Sequence, residues 1–266
     1  MPRIFDNITE SLLPALRETL ERCNRADFCV GYFNLRGWRQ LHDYVERWPG
    51  GEGHCCRLLV GMQTLPADEL REALSLAAPD ESRMDNATAL RLRKTLAQEF
   101  RDQLCFGAPT DADEQGLQRL AAQIRAGKVV VKLFVKHRLH AKLYLLFRSD
   151  PINPIIGYLG SSNLTLAGLS QQGELNVDVL DPDATDKLAQ WFEDRWTDRW
   201  CLDISKELVE IIENSWARET PIPPYHIYLK IAYCLSQEAR TGLTEFRIPK
   251  EFGNKLFDFQ TAAVKI

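Results

Sequence analysis

Between Lys128 and Leu180 four apolar segments, KVVVKLFV, AKLYLLF, PIIGYLG and ELNVDVL, follow one another within about fifty residues. Each is the length of a strand. A parallel neighbour needs a crossover of a dozen or more residues, usually a helix, and the first two gaps between these segments, of five and six residues, are shorter than that. The sheet they build must therefore be mixed, with antiparallel pairs among the four.

The flanking sequence supplies helices for both sides of such a sheet. In ITESLLPALRETLERC, Ile8, Leu12, Leu16, Leu20 and Cys23 recur at helical spacing, with Asn7 available as N-cap and Pro14 close to the regular start. ADFCVGYFN reads as a strand, Trp38, Leu41, Val45 and Trp48 mark a second helix ended by PGGEG, and CCRLLVGM is a short apolar strand. From about residue 64 to 127 only helical patterns occur, carried by Leu92, Leu96 and Phe100 and then by Leu117, Leu120 and Ile124, so this stretch reads as a helical insertion. ATDKLAQWFEDRWTDRW closes the unit with a helix whose Leu188, Trp191, Phe192 and Trp196 form a core face. The fold class is thus α/β, a mixed β-sheet flanked by helices, over residues 1–200. A helical extension over 201–266 follows, with ISKELVEIIENSW, a rigid ETPIPP linker and the helix YHIYLKIAYCLSQEA.

Composition narrows the function classes. Hydrophobic residues at 45% and charged residues at 26% describe a folded globular chain. MPRIFDNITE lacks the basic and apolar regions of a leader, and no apolar run approaches the roughly 18 residues of a membrane span. A cytoplasmic protein without membrane attachment is expected. Seven cysteines without a C-x-x-C pair argue against both a disulfide framework and structural zinc. The net charge of -4 hides an uneven distribution: from Arg119 to Ser149 there is no acid, and eight lysines and arginines leave the remainder at about -12. Such a run points to an anionic ligand, with Lys132, Lys136 and Arg138 as candidate nucleic-acid contacts.

Within the second strand of the four, LHAKLYLLF places a histidine and a lysine where aliphatic residues belong. Residues i and i+2 of a strand share a face, so His140 and Lys142 project side by side, with Tyr144 next in the row. The following strand ends at Gly160 and opens into Ser161, Ser162 and Asn163, whose backbone N–H groups and side chains can make an anion-binding turn. Gly168 and Gly173 then lead to Glu174, eleven residues after Asn163.

This order, H-x-K on a strand, G-S-x-N at the end of the next and a glutamate beyond, resembles the phospholipase D superfamily. FCVGYFNLRGWRQL likewise resembles the opening strand and helix of its nucleic-acid-processing branch, so the resemblance covers roughly residues 5–200. It implies an α-β-α sandwich and a metal-independent phosphodiesterase or nuclease that needs no cofactor. His140 would attack phosphorus to form a phosphohistidine that water resolves. Glu174 would orient and stabilise the imidazole, while Lys142, Asn163 and Ser161, with Ser162 in the same turn, would hold the phosphate oxygens. The family pattern usually carries an aspartate five residues after the lysine, and here that position is Phe147. Only one H-x-K motif is present, and single-motif members pair as homodimers so that two histidines meet.

LFDFQTAAVKI at the end of the chain resembles the sequence that opens a superfamily 2 helicase core, through Phe259 and Gln260. This implies a piece of a longer, ATP-binding helicase-like protein, and nucleic acid, DNA ahead of RNA, as the partner. Two other readings share the same basic residues: a catalytically silent DNA-docking module and a phospholipid hydrolase.

Overall fold

In a computed structural model, which describes residues 2–61, 86–105, 110–218 and 224–245, the four closely spaced segments form strands β4 to β7 of one mixed sheet. In chain order the elements begin with β1 (Ile4–Phe5), α1 (Leu12–Leu20), β2 (Cys23–Val30), α2 (Leu35–Trp38), α3 (His42–Glu46) and β3 (Cys56–Val60). Helices α4 (Asn86–Leu104) and α5 (Asp111–Arg125) follow, then β4 (Val129–Phe134), β5 (Lys142–Arg148) and β6 (Ile155–Gly160). The unit closes with α6 (Leu166–Ser170), β7 (Asn176–Val179), α7 (Pro182–Trp196), β8 (Cys201–Asp203) and α8 (Ser205–Glu213). Helix α9 (Pro224–Glu245) belongs to a second unit, residues 219–266, whereas the first compact unit runs Met1–Arg218.

The spatial order is β1-β7-β6-β5-β2-β3-β4-β8. Strands β2, β3 and β4 are parallel to one another, and every other pairing is antiparallel. Alternation along the strands divides the core. Tyr144, Leu146, Phe28, Leu58 and Val131 face α1, α2, α4, α5 and α8, while Leu143, Leu145, Cys29 and Leu59 face α7. On the second face Phe192 and Trp196 are buried and stacked at 5.6 Å, as the helical spacing predicts.

Two segments depart from the sequence reading. The helix expected from Trp38 to Trp48 breaks at residues 39–41 into α2 and α3. Each tryptophan is anchored to a different element: Trp38 Nε1 donates to Gln123 at 3.0 Å and Trp48 Nε1 to the Cys23 carbonyl at 2.7 Å. Beyond residue 200, β8 extends the sheet and α8 packs on α4 and α5, burying Ile204, Leu208 and Ile212 in the main core. The compact unit therefore continues to Arg218, past the boundary near 200 that the linker composition suggested. The segment LFDFQTAAVKI, expected to open a helicase core, lies outside the described residues, as do 64–85 and 106–109 of the expected helical insertion. Among the described residues no helix is long and apolar enough to cross a membrane.

One polar network is built into the α7 face. Asp27, 1% exposed, accepts from Arg57 Nε and Nη2, both at 2.7 Å, and from Arg25 Nη2 at 2.6 Å. Arg57 also reaches Glu193 of α7 at 2.9 Å, so the network ties β2, β3 and the helix together. Removing one partner of a buried ion pair leaves the others uncompensated, at a cost of about 3–5 kcal/mol. Asp27→Ala is accordingly expected to lower unfolding free energy by about 3 kcal/mol in urea titration. A loss below about 1 kcal/mol would contradict this account of the network.

Candidate active site

The topology brings the chemistry to one end of the sheet. β2 and β3 end at Val30 and Val60, and β5, antiparallel to β2, begins at that same end with Leu143 opposite Cys29. The connection from β4 to β5 crosses this end, where Leu139 N–H donates to Gly61 O at 2.9 Å. A side chain at Gly61 would overlap Leu139, so the crossing needs glycine there. His140 is thus delivered beside the carboxyl ends of the parallel strands, where the sheet reverses order and α/β folds form their crevices.

His140 is exposed, whereas Lys142 is buried at 3% exposure. Lys142 Nζ lies 2.6 Å from His140 Nδ1 and donates to the His140 carbonyl at 2.8 Å. An ammonium has donors only, so Nδ1 is the acceptor and a neutral His140 carries its proton on Nε2. Burial lowers the Lys142 pKa below that of an ordinary lysine, with the Glu174 carboxylate acting in the opposite direction.

Gly160 of β6 stands between Lys142 of β5 and Asn176 of β7 in register. At strand spacing the three Cα atoms span about 10 Å. The turn that follows Gly160 is strapped down by the neighbouring strand. Ser161 N–H donates to Leu175 O at 3.1 Å, and the Ser161 hydroxyl accepts from Leu175 N–H at 2.9 Å while donating to Glu174 Oε2. Ser162 is fully buried; its N–H donates to Asn176 Oδ1 at 3.2 Å and its hydroxyl accepts from Asn176 Nδ2 at 2.8 Å. Asn163 Oδ1 accepts from Tyr32 N–H at 2.9 Å, which turns the donor end, Nδ2, the other way.

The sequence reading of the turn is corrected here. Ser162 cannot donate its N–H to an anion, because strand β7 already uses it, and the same holds for the Ser161 N–H. Asn163 keeps its donors. Glu174 bonds Ser161 rather than His140, so the structure pairs histidine with lysine and glutamate with serine.

Most cations of the acid-free run are paired with acids. Arg119 meets Asp43, Arg125 meets Glu213, Lys128 meets Glu46 and Arg148 meets Asp150, acids mostly supplied by distant segments. Lys132 lies on the α7 face, over the Trp196 ring at 4.4 Å and donating to its carbonyl at 3.0 Å, and is not brought to the site. Lys136 pairs with Asp198 at 3.2 Å. Arg138, exposed in the β4–β5 crossing two residues before His140, has no ion pair among the described residues.

Phe147 is carried away from the His140–Lys142 end of the sheet. It lies five residues along β5 from Lys142, roughly 17 Å, and on the opposite face, under the Arg25 guanidinium at 4.2 Å. The buried residues Tyr144 and Asn176 were not singled out for the turn by the sequence. For Asn176 the signal is the alternation in β7, where Asn176 and Asp178, each 2% exposed, put polar side chains on the buried face of the strand. Buried thiols are inert here: burial pushes Cys23, Cys29 and Cys201 up to about 12. Among the described residues no three His, Cys, Asp or Glu side chains gather as a metal site.

The structure is that of an α/β protein whose mixed sheet presents a histidine–lysine pair beside a glycine-led polar turn at one end. The family model described as "Cardiolipin synthase, PLD-like domain" matches residues 56–196, more than half of the 266 residues. The chain belongs to this phospholipase D-like family. Solved structures similar to it include NucT from Helicobacter pylori, at 11% identity over 76% of this chain and 98% of that chain, TM-score 0.43. A phospholipase D family member, Nuc, from Salmonella typhimurium matches at 11% identity over 76% and 97%, TM-score 0.42. Phosphatidylserine synthase from Haemophilus influenzae Rd KW20 matches at 16% identity over 89% and 46%, TM-score 0.45. No curated protein matches the sequence.

The hydrogen bond from Lys142 fixes an observable state of the imidazole. Long-range 15N–1H correlation spectra of the free protein at neutral pH are expected to show His140 protonated on Nε2, with Lys142→Met releasing that preference. The Nδ1–H form in the unsubstituted protein would contradict the donation.

Proposed function

We propose that this domain hydrolyses phosphodiester bonds in nucleic acid without a metal, through a phosphohistidine on His140. The observation that carries the reading is the juxtaposition, at one end of the sheet, of an exposed imidazole, a buried ammonium 2.6 Å from it, and the outward-turned donors of Asn163. A phosphodiester offers Lys142 a stronger acceptor than Nδ1. As Nζ transfers to a non-bridging oxygen, Nδ1 is free to take a proton and Nε2, relieved of its own to water, can attack phosphorus. The P–O bond to the leaving oxygen breaks, and a general acid protonates that oxygen. Water then cleaves the P–N bond and regenerates the histidine. Glu174, one hydrogen bond away at Ser161, is the carboxylate available to steady the imidazolium.

The single H-x-K motif leaves the leaving-group acid unassigned within one chain. A second copy, placed so that two His140 side chains share one phosphate, completes the reaction, and a homodimer is part of this proposal. The helicase-like tail supports a nucleic-acid substrate, with DNA ahead of RNA and an ATP-binding motor in the wider protein. Of the three basic candidates, Arg138, two residues before His140, has no ion pair among the described residues; Lys136 pairs with Asp198 and Lys132 lies on Trp196.

One observation favours a second reading. With Nδ1 held by Lys142 and Glu174 held by Ser161, the resting site is not in the attacking form, as a silent DNA-docking module would also present.

End-labelled single- and double-stranded DNA, RNA and a phosphatidyl substrate, each incubated with the protein in EDTA, separate these readings. The proposal expects nucleic-acid cleavage that falls on the order of a thousandfold or more in His140→Ala. Salt-sensitive DNA binding without cleavage by either protein would leave the docking module, and lipid turnover alone would leave the phospholipid hydrolase. The ammonium of Lys142 is needed for charge neutralisation and is lost as pH rises through its pKa. Burial lowers that pKa, so the alkaline limb of the rate profile should fall below the ordinary lysine value of 10.5 and disappear in Lys142→Arg. An unchanged limb in the arginine variant would assign it to another group.

A further inference from the structure

The turn after β6 holds a buried frame that no catalytic role accounts for. Tyr144 is 1% exposed and its hydroxyl donates to Ser162 O at 2.9 Å. Asn176, 2% exposed, grips the same residue from the other side through both ends of its amide. A side chain at Gly160 would overlap Leu175 O and Asn176, so the glycine is what lets this amide reach Ser162. Two buried side chains, Tyr144 of β5 and Asn176 of β7, thus converge on Ser162 from the strands on either side of β6.

The peptide whose carbonyl Tyr144 holds joins Ser162 to Asn163, and the N–H that Asn176 holds belongs to the peptide before it. A trans peptide is planar, so its C=O and N–H point in opposite directions. With the Ser162 carbonyl drawn inward to the Tyr144 hydroxyl, the Asn163 N–H is directed away from the core. Among the described residues nothing accepts from it, and the Tyr32 N–H has already turned Asn163 Nδ2 outward. A buried network that is fully satisfied on its inner side and leaves one residue's donors unused on its outer side is a preorganised anion cradle.

We infer that Tyr144 and Asn176 are positioning residues that, through Ser162, aim the backbone N–H of Asn163 at a phosphate oxygen. This rests on the phosphate-site reading above. Neither side chain touches substrate: Tyr144 holds the carbonyl of the peptide that does, and Asn176 fixes Ser162 itself through its N–H and hydroxyl. Tyr144→Phe removes one oxygen and keeps the ring packed against Phe28 at 5.0 Å. Tyr158→Phe is the matched control. Tyr158 stands opposite Tyr144 in register, is equally buried on the same face, and spends its hydroxyl on Thr19 at 2.8 Å instead of on the turn.

The test is titration of the 15N-labelled protein with inorganic phosphate, followed at the Asn163 amide, for the parent protein, Tyr144→Phe, Asn176→Ala and Tyr158→Phe. Thermal melts of each variant establish that it is folded at the temperature used. The inference expects the Asn163 amide to shift on phosphate addition in the parent and the phosphate Kd to rise about tenfold in Tyr144→Phe and in Asn176→Ala. Tyr158→Phe is expected to lower the melting temperature while leaving the Kd unchanged. Phosphate binding in the parent with Tyr144→Phe indistinguishable from Tyr158→Phe would overturn the positioning role alone. No response of the parent protein to phosphate would overturn the phosphate reading and this inference together.

Discussion

The pairing of β5 with β2 is the interaction on which the site depends. Three parallel strands would end in loops that wander over the sheet edge. The chain instead crosses from β4 over Gly61 and returns antiparallel beside β2, from Leu143 opposite Cys29 to Arg148 opposite Cys23. That return fixes the height at which His140 and Lys142 emerge. It also sets β6 and β7 in succession on the far side, so that Lys142, Gly160 and Asn176 fall in one row. A slip of one residue in this register would turn Lys142 to the α7 face and bring Leu143 to the site.

The same row explains why so few donors face outward. Strand β7 engages the N–H groups of Ser161 and Ser162. Under the proposed function, the Lys142 ammonium, the Asn163 amide and the imidazole are the donors for an anion among the described residues. In the free protein the buried ammonium rests on the imidazole and carbonyl of His140. An anion would resolve this by giving Lys142 a charged acceptor in place of a neutral one, and charge-assisted bonds are roughly twice as strong.

Much of this was legible in the sequence because it depended on local pattern. Closely spaced strands enforce a mixed sheet, and a strand period of two puts His140 and Lys142 on one face. What failed depended on partners far along the chain. The cations from Arg119 to Arg148 read as a basic field until Asp43, Glu46, Asp198 and Glu213 were found against them. Ser162 read as a phosphate donor because Asn176, fourteen residues away, gives no local sign of claiming it. The sequence shows that Phe147 replaces the family's aspartate but not where the position lies, and the strand carries it to the other end and the other face. Residues 201–213 read as an extension because their strand has only three residues and its partner is β4.

The central claim is that His140 becomes covalently bonded to phosphorus. The most direct measurement is intact mass and peptide mapping of protein quenched under non-acidic conditions during turnover of an oligonucleotide in EDTA. The account predicts an acid-labile nucleotidyl or phosphoryl adduct mapped to His140 and absent from His140→Ala. Turnover under the same conditions with no adduct at any time point, or with the adduct on another residue, would contradict it.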